Sequence, residues 1–241
     1  MERAASLQEE YLTDTNKIYE TNKLINKAQQ DIDKTTNTVA KKRLQSYIKE
    51  TEQLQNKTKL SNYELEIQQA KYDLVLAEIA LEEAQNAKST VRLQRDSEGN
   101  FGYVYTADSS KVAEAEQQLA DAQNRLYNIG LEGANSYTEK YQQTLAEMYD
   151  TLTELQTQYL EGAFASEEEY NEAVANAKNF YYQKLQQYSE LYSVALTTDS
   201  AVRADAWSTD FDSMIYSTDK WQKNVDKYLT NVKSVFADWE K

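Results

Sequence analysis

The side chains of this chain that could do chemistry are almost all oxygens. It carries 40 Asp and Glu and nineteen Tyr, with no His and no Cys. That removes the imidazole base, the cysteine nucleophile, the disulfide framework and the usual zinc site. What remains is acid–base work by paired carboxyls, or calcium, which takes oxygen ligands alone. The densest carboxylate run is Glu167, Glu168 and Glu169, directly after Ser166. At a helix start such residues serve the cap and the dipole. A glycosidase pair needs two carboxylates held across a cleft, which long helical rods seldom provide. Calcium has two candidate sets, Asp96, Ser97, Glu98 and Asn100, and Asp199, Asp205, Asp210 and Asp212. Neither has the spacing and central Gly of an EF-hand loop, and turn formation accounts for Asp96 and Asn100 without an ion. The expectation is a non-enzyme with no catalytic residue, no metal, no cofactor and no small-molecule ligand.

Tyrosine and tryptophan offer recognition instead of catalysis. Most tyrosines recur at helical spacing, which makes them packing residues whose hydroxyls reach the rim. Trp207, Trp221 and Trp239 read the same way, with added weight as interface anchors.

One stretch breaks the helical pattern, Val91 to Tyr105. Val91 and Leu93 alternate with Arg92 and Gln94, and Phe101, Tyr103 and Tyr105 alternate with Gly102 and Val104. That is the period of a strand. Asp96, Ser97, Glu98 and Gly99 between them suit a three-residue hairpin loop with a bulge. The register follows: Leu93 faces Tyr103, Val91 faces Tyr105, and Arg95 lies beside Phe101. Val91, Leu93, Phe101, Tyr103 and Tyr105 thus form one apolar face. Because an isolated hairpin is barely stable, this face is expected to rest on the flanking helices. An alternative is a ligand-binding β-tongue.

The elements that must position the hairpin are helices. No Pro and only five Gly interrupt the chain, and Ala, Leu, Glu, Gln and Lys favour long helices. A hydrophobic content of 40% and a mean hydropathy of -0.82 suit narrow apolar seams better than a broad core. No apolar run approaches the ~18 residues of a membrane span, and the first residues, MERAASLQEEY, have no signal-peptide core. A net charge of -14 argues against nucleic acid, whose phosphates need clustered Lys and Arg. Residues 1–60 have a net charge of +2; this end is more simply a solvated face, and the alternative is that it docks on an acidic one in the same chain or a neighbour.

The expected fold class is all-α: long antiparallel helical hairpins or coiled coil with one two-stranded β-hairpin insertion. Tyr11, Ile18, Ile25 and Ile32 lie at steps of seven, with mostly polar Asp14, Thr21, Ala28 and Thr35 between them, so the first helix should be loosely held or should need a partner. A break or bend is placed at Thr35 to Thr38. From Val39 to Ala87 a seam of alternating four- and three-residue steps runs through Ala40, Leu44, Tyr47, Leu54, Leu65, Tyr72, Val75 and Ile79, with polar interruptions at Thr51, Thr58, Ser61 and Gln68. It predicts one rod on the order of 75 Å long. Leu74, Val75, Leu76, Ile79, Ala80 and Leu81 broaden the stripe where the hairpin would need cover.

After the hairpin, Asp108 can cap a helix whose stripe of Val112, Ala115, Leu119, Ala122, Leu126 and Ile129 should run antiparallel to the preceding one. Gly130 and Gly133 mark an expected interruption. A further stripe from Tyr137 to Tyr159 ends at Gly162, a left-handed cap. Ser166 to Glu169 then form a capping box, with Ala165 and Tyr170 as its hydrophobic staple. The units are therefore 1–90, long coiled-coil-like helices; 91–107, the hairpin tip; 108–165, return helices; and 166–241, a C-terminal helical hairpin. Its last stripe, Trp221 to Trp239, is still amphipathic near Lys241, which predicts a piece of a longer protein.

The segments RLQRDSEGNFGYVYTAD, VAEAEQQLADAQNRLYN and DAWSTDFDSMIYSTDKWQKNVDKYLTNVKSVFADW resemble segments of bacteriophage tail tape-measure proteins. The resemblance covers roughly residues 90 to 241, and the first ninety residues resemble only generic coiled coil. It implies an extended helical protein in the tail lumen whose length in residues sets tube length, localised to the virion and cytoplasmic during assembly. Its implied partners are itself or tail-tube and baseplate proteins. A fixed helical rise and an acidic surface that resists DNA are compatible with that role. The family's membrane-active and cell-wall-cleaving portions have no counterpart here. The competing expectation is a freestanding coiled-coil adaptor or scaffold that binds a protein through its aromatic hairpin tip.

Overall fold

A computed structural model of the chain describes residues 11–88, 90–95 and 101–198. These form five helices and one two-stranded antiparallel sheet: α1 (Asp14–Lys34), α2 (Thr38–Gln55), α3 (Asn62–Asn86), β1 (Thr90–Arg95), β2 (Phe101–Thr106), α4 (Ser109–Leu160) and α5 (Glu167–Leu196).

The chain reverses at Thr35 to Asn37, where the break was expected. Thr35 ends α1, and the Asn37 side chain accepts from the backbone N–H groups of Val39 and Ala40 at 2.9 and 3.3 Å. The two helices lie side by side, with Ala28, Ile32, Ala40 and Leu44 in one cluster. The buried stripe of α1 differs from the isoleucine row: Lys17, Thr21, Leu24, Ala28 and Ile32 are buried, whereas Ile18 is exposed. Thr21 can face inward because its hydroxyl donates to the Lys17 carbonyl at 2.6 Å, which leaves its methyl group to pack.

The rod expected from Val39 to Ala87 is two helices. α2 ends at Asn56, and α3 starts at Ser61 with a full capping box. The Ser61 hydroxyl accepts from Glu64 N–H at 3.1 Å, while the Glu64 carboxylate accepts from Ser61 N–H at 3.0 Å. Leu60 is fully buried, and its carbonyl accepts from Leu12 N–H at 2.8 Å. α3 folds back antiparallel on α2, so that some of the seam positions face each other. Tyr47 and Tyr72 meet with ring centroids 5.3 Å apart, and Gln68 donates to Thr51 at 2.8 Å. Arg43 pairs with Glu78 at 2.6 Å, so part of the basic N-terminal region docks on acidic residues of the same chain.

α4 is the longest element, 52 residues without interruption, or ~78 Å at ~1.5 Å per residue. Gly130 and Gly133 lie inside it, buried. At Gly133 a Cβ would coincide with the Tyr63 ring and hydroxyl, and that hydroxyl donates to the Ile129 carbonyl at 3.1 Å. Two interior glycines cost about 1 kcal/mol each relative to Ala. Here the missing side chain is what admits Tyr63, and packing carries the helix through. Towards its N-terminal end α4 takes α3, with Leu126 and Ile129 against Ile67 and Ala70, and Arg125 bonded to Asp73 at 2.7 Å. Towards its C-terminal end it takes α5, with Tyr137, Tyr141 and Met148 against Tyr181, Leu185 and Tyr188.

The α4–α5 turn follows local rules. Gly162 has φ +76°; its N–H donates to Tyr159 and that of Ala163 to Gln158, at 3.0 and 2.9 Å, the Schellman arrangement. Ser166 accepts from Glu169 N–H at 3.2 Å, but the Glu169 carboxylate reaches past the cap to Ala165 N–H at 2.8 Å. The expected staple of Ala165 on Tyr170 is replaced. Ala165 is exposed, and Tyr170 stacks instead on Tyr159 and meets Phe164 edge-on, since these rings bury more apolar surface than a methyl group.

Two outcomes follow from this packing. Gly133→Ala is expected to lower stability by about 1–3 kcal/mol through overpacking against Tyr63, measured by urea unfolding. In a double-mutant cycle with Tyr63→Ala the two losses should be markedly less than additive. Burial also pushes the Tyr47 hydroxyl from 10.0 up to about 12, and raises Tyr63 and Tyr72 in the same direction. The folded state holds these protons more tightly, so the stability they supply is complete below pH 10 and declines as pH rises through about 12. Urea midpoints between these limits should fall with pH, and less steeply in Tyr47→Phe.

Candidate interaction site

The hairpin leaves α3 at Ala87 and rejoins the helices at Asp108. Strand formation follows from composition: Thr90, Val91, Tyr103, Val104, Tyr105 and Thr106 are β-branched or aromatic. At the far end, Asp108 accepts from Ser110 N–H at 3.0 Å and from its hydroxyl at 2.7 Å. The Ser110 hydroxyl, then backbone N–H groups, hold its carboxyl below the usual range. The observed register pairs Val91 with Tyr105, Leu93 with Tyr103 and Arg95 with Phe101, as expected from the turn sequence between the strands. Val91, Leu93, Phe101, Tyr103 and Tyr105 therefore share one face, with the Arg95 guanidinium 5.7 Å from the Phe101 ring centroid.

That face does not rest on the helices. Leu93, Phe101 and Tyr103 are 61%, 68% and 72% exposed, and Val91 and Tyr105 are more than half exposed. The reason lies in the helices expected to cover it. Ile79, flanked by Val75 and Leu76, packs with Leu44 and Tyr72, and Leu74 packs on the cluster of Ile67 and Leu126. The apolar residues near the end of α3 are already taken by α2 and α4. Six-residue strands joined to the helices by short links then project beyond them.

The other candidates divide clearly. Glu167, Glu168 and Glu169 are exposed in the first turn of α5, where Glu169 serves the helix start. Among the described residues no group of three or more Asp and Glu is placed to hold a metal ion, and no helix is long and apolar enough to cross a membrane. The calcium candidates Asp96, Ser97, Glu98, Asn100, Asp199, Asp205, Asp210 and Asp212, the turn at Gly99, and Trp207, Trp221 and Trp239 lie outside the described residues. Tyr47, Tyr72, Tyr137, Tyr141, Tyr170, Tyr181, Tyr188 and Tyr192 are buried, in keeping with a packing role. A shallow cleft beside Tyr11, Lys57, Glu64 and Glu190 is internally paired: Lys57 bonds Glu64 at 2.7 Å and Lys59 lies 5.2 Å from the Tyr11 ring centroid.

No family model matches the chain, and neither a curated protein nor a solved structure matches it.

The exposure of the hairpin has a direct test. Leu93→Ser and Tyr105→Ser are each expected to shift unfolding free energy by no more than about 0.5 kcal/mol. Tyr47→Ala, in the core, should cost about 3–5 kcal/mol. Urea denaturation of the three variants measures both, and a hairpin substitution as costly as the core one would mean that the face is covered.

Proposed function

We propose that this chain is a structural segment of a bacteriophage tail tape-measure protein, an extended helical piece that occupies the tail lumen and contributes to setting tube length. The observation that carries the reading is α4, a single helix of 52 residues. A helix converts residue number into length at ~1.5 Å per residue, and seams of heptad-spaced residues let such lengths pair as coiled-coil hairpins. Supporting it are the likeness of residues 90 to 241 to segments of that family and a net charge of -14, which disfavours adhesion to DNA in the lumen. Tail-tube and baseplate proteins are the partners this role needs, and the virion its location. No catalytic step is assigned.

A second reading is a coiled-coil adaptor that binds a protein through the hairpin. Its exposed aromatic face favours that reading, as does the pairing of α1, α2 and α3 within one chain.

Small-angle scattering with absolute mass separates the readings. Both require a radius of gyration well above the ~18 Å of a compact globule of this length. A tail segment should form a stable small parallel oligomer, whereas an adaptor folded on itself should be monomeric when dilute. A particle near ~18 Å would overturn both. Tail-tube and baseplate genes beside the coding gene would favour the first.

A further inference from the structure

The two edges of the hairpin sheet are chemically unequal. β1, Thr90–Arg95, carries Arg92 and Arg95, two charges in six residues. β2, Phe101–Thr106, carries none, has no Pro, and is built from Phe, Tyr, Val and Thr around Gly102. Soluble proteins guard sheet edges with charge, Pro, bulges or a covering element. β1 has such a guard. β2 has none among the described residues, and Phe101, Tyr103 and Tyr105 are all more than half exposed.

We propose that the β2 edge is a self-association site, and that its occupant is β2 of a second copy of this chain, paired antiparallel about a two-fold axis at Tyr103. Three pairings of edges are possible between copies. β1 on β1 would bring four Arg together. β1 on β2 is head-to-tail and leaves free edges to propagate. Only β2 on β2 both closes and places no charge against charge. The residue pattern is self-complementary in that arrangement: Tyr103 lies opposite its own copy, and Phe101 lies opposite Tyr105. This extends the hairpin to four strands with six aromatic side chains on one face, in cross-strand pairs of the kind that stabilise sheets. Charge also selects the place. The net charge of -14 opposes close approach of copies in general, whereas the two strands contain no acidic residue.

Two six-residue strands bury well under the ~800 Å² per partner of a standard stable complex. The dimer is therefore weak, with a dissociation constant of roughly 10–100 µM, and its two helical bodies project in opposite directions. The inference does not depend on the chain being a tail component, because a stable parallel oligomer would persist at concentrations where this dimer dissociates.

Sedimentation of the full chain from about 5 to about 500 µM, bracketing that constant, tests it. The expected result is a reversible doubling of mass across this range, from monomer to dimer or, where a stable parallel oligomer persists, from that species to twice its mass, and Tyr103→Lys weakens it tenfold or more by setting like charges opposite each other. Tyr103 is 72% exposed, so the variant should keep its circular dichroism and unfolding midpoint. An equimolar mixture of Tyr103→Lys and Tyr103→Glu should regain a dimer. Leu93→Lys, on the same face but the other strand, should change the constant less than threefold. A wild-type mass that stays constant with concentration, an association indifferent to Tyr103→Lys, or equal losses from Leu93→Lys and Tyr103→Lys would each overturn edge pairing. The last result would indicate face-to-face stacking.

Discussion

The arrangement depends on α4 remaining one helix through Gly130 and Gly133. Its two ends carry different neighbours, α3 on one and α5 on the other, and Tyr63 enters where they meet. The close approach is steric: no side chain heavier than hydrogen fits at Gly133 while the Tyr63 ring keeps its place. Tyr63 also lies 5.2 Å from Tyr137, which is 6.3 Å from Tyr188, centroid to centroid. A chain of rings thus runs from the first residues of α3 through α4 to α5, and the Lys140 ammonium sits over two of them. Val194 of α5 also packs on the cluster of Ile67 and Ala70, so α5 meets α3 directly where α4 passes between its two sets of neighbours.

A mean hydropathy of -0.82 leaves little apolar surface with which to hold five helices, and polar residues fill positions that a richer core would give to Leu or Ile. Thr21, Thr51, Ser61 and Gln68 are all buried. Each is satisfied: Thr21 bonds back one turn, Thr51 bonds Tyr47 and Gln68, and Ser61 closes its capping box. A buried polar group costs free energy when unpaired and little when paired. Such bonds are directional, so they also fix which seam position faces which. The N-terminal helices are organised as much by this network as by apolar contact.

What was legible in the residues was whatever is decided locally. The two faces of the hairpin followed from period-two alternation and its register from the turn between the strands, the break at Thr35 to Thr38 and the stop at Gly162 from cap-forming residues, and the cap at Ser166 from its own tetrapeptide. Decisions made at long range were hidden. A heptad seam reads the same whether a helix continues or folds back, so Ala40 to Ile79 looked like one rod although its halves face each other. The signal for the break was present in Ser61 to Glu64, the same capping pattern as at Ser166, preceded by Leu60. At Gly130 and Gly133 local chemistry misleads, because the residue type that usually ends a helix serves here to admit a ring from another. The isoleucine row of α1 keeps Ile32 in the core but leaves Ile18 exposed, because a threonine whose hydroxyl is satisfied within its helix can take an inward position.

The exposed hairpin is the other side of the same economy of apolar residues. Helices α2 and α4 absorb the stripe of α3, leaving none of the described helices to cover Leu93 or Tyr103. Two strands without a supporting layer gain stability mainly from cross-strand pairs, and the aromatic content of β2 supplies these: Leu93 beside Tyr103, Val91 beside Tyr105, Arg95 over Phe101. The residues that allow the hairpin to persist beyond the helices are therefore the ones that make its surface adhesive. The arginines of β1 blunt one edge but add no guard to the other. On an otherwise acidic surface, that asymmetry places apolar contact at an uncharged edge carried clear of the helices.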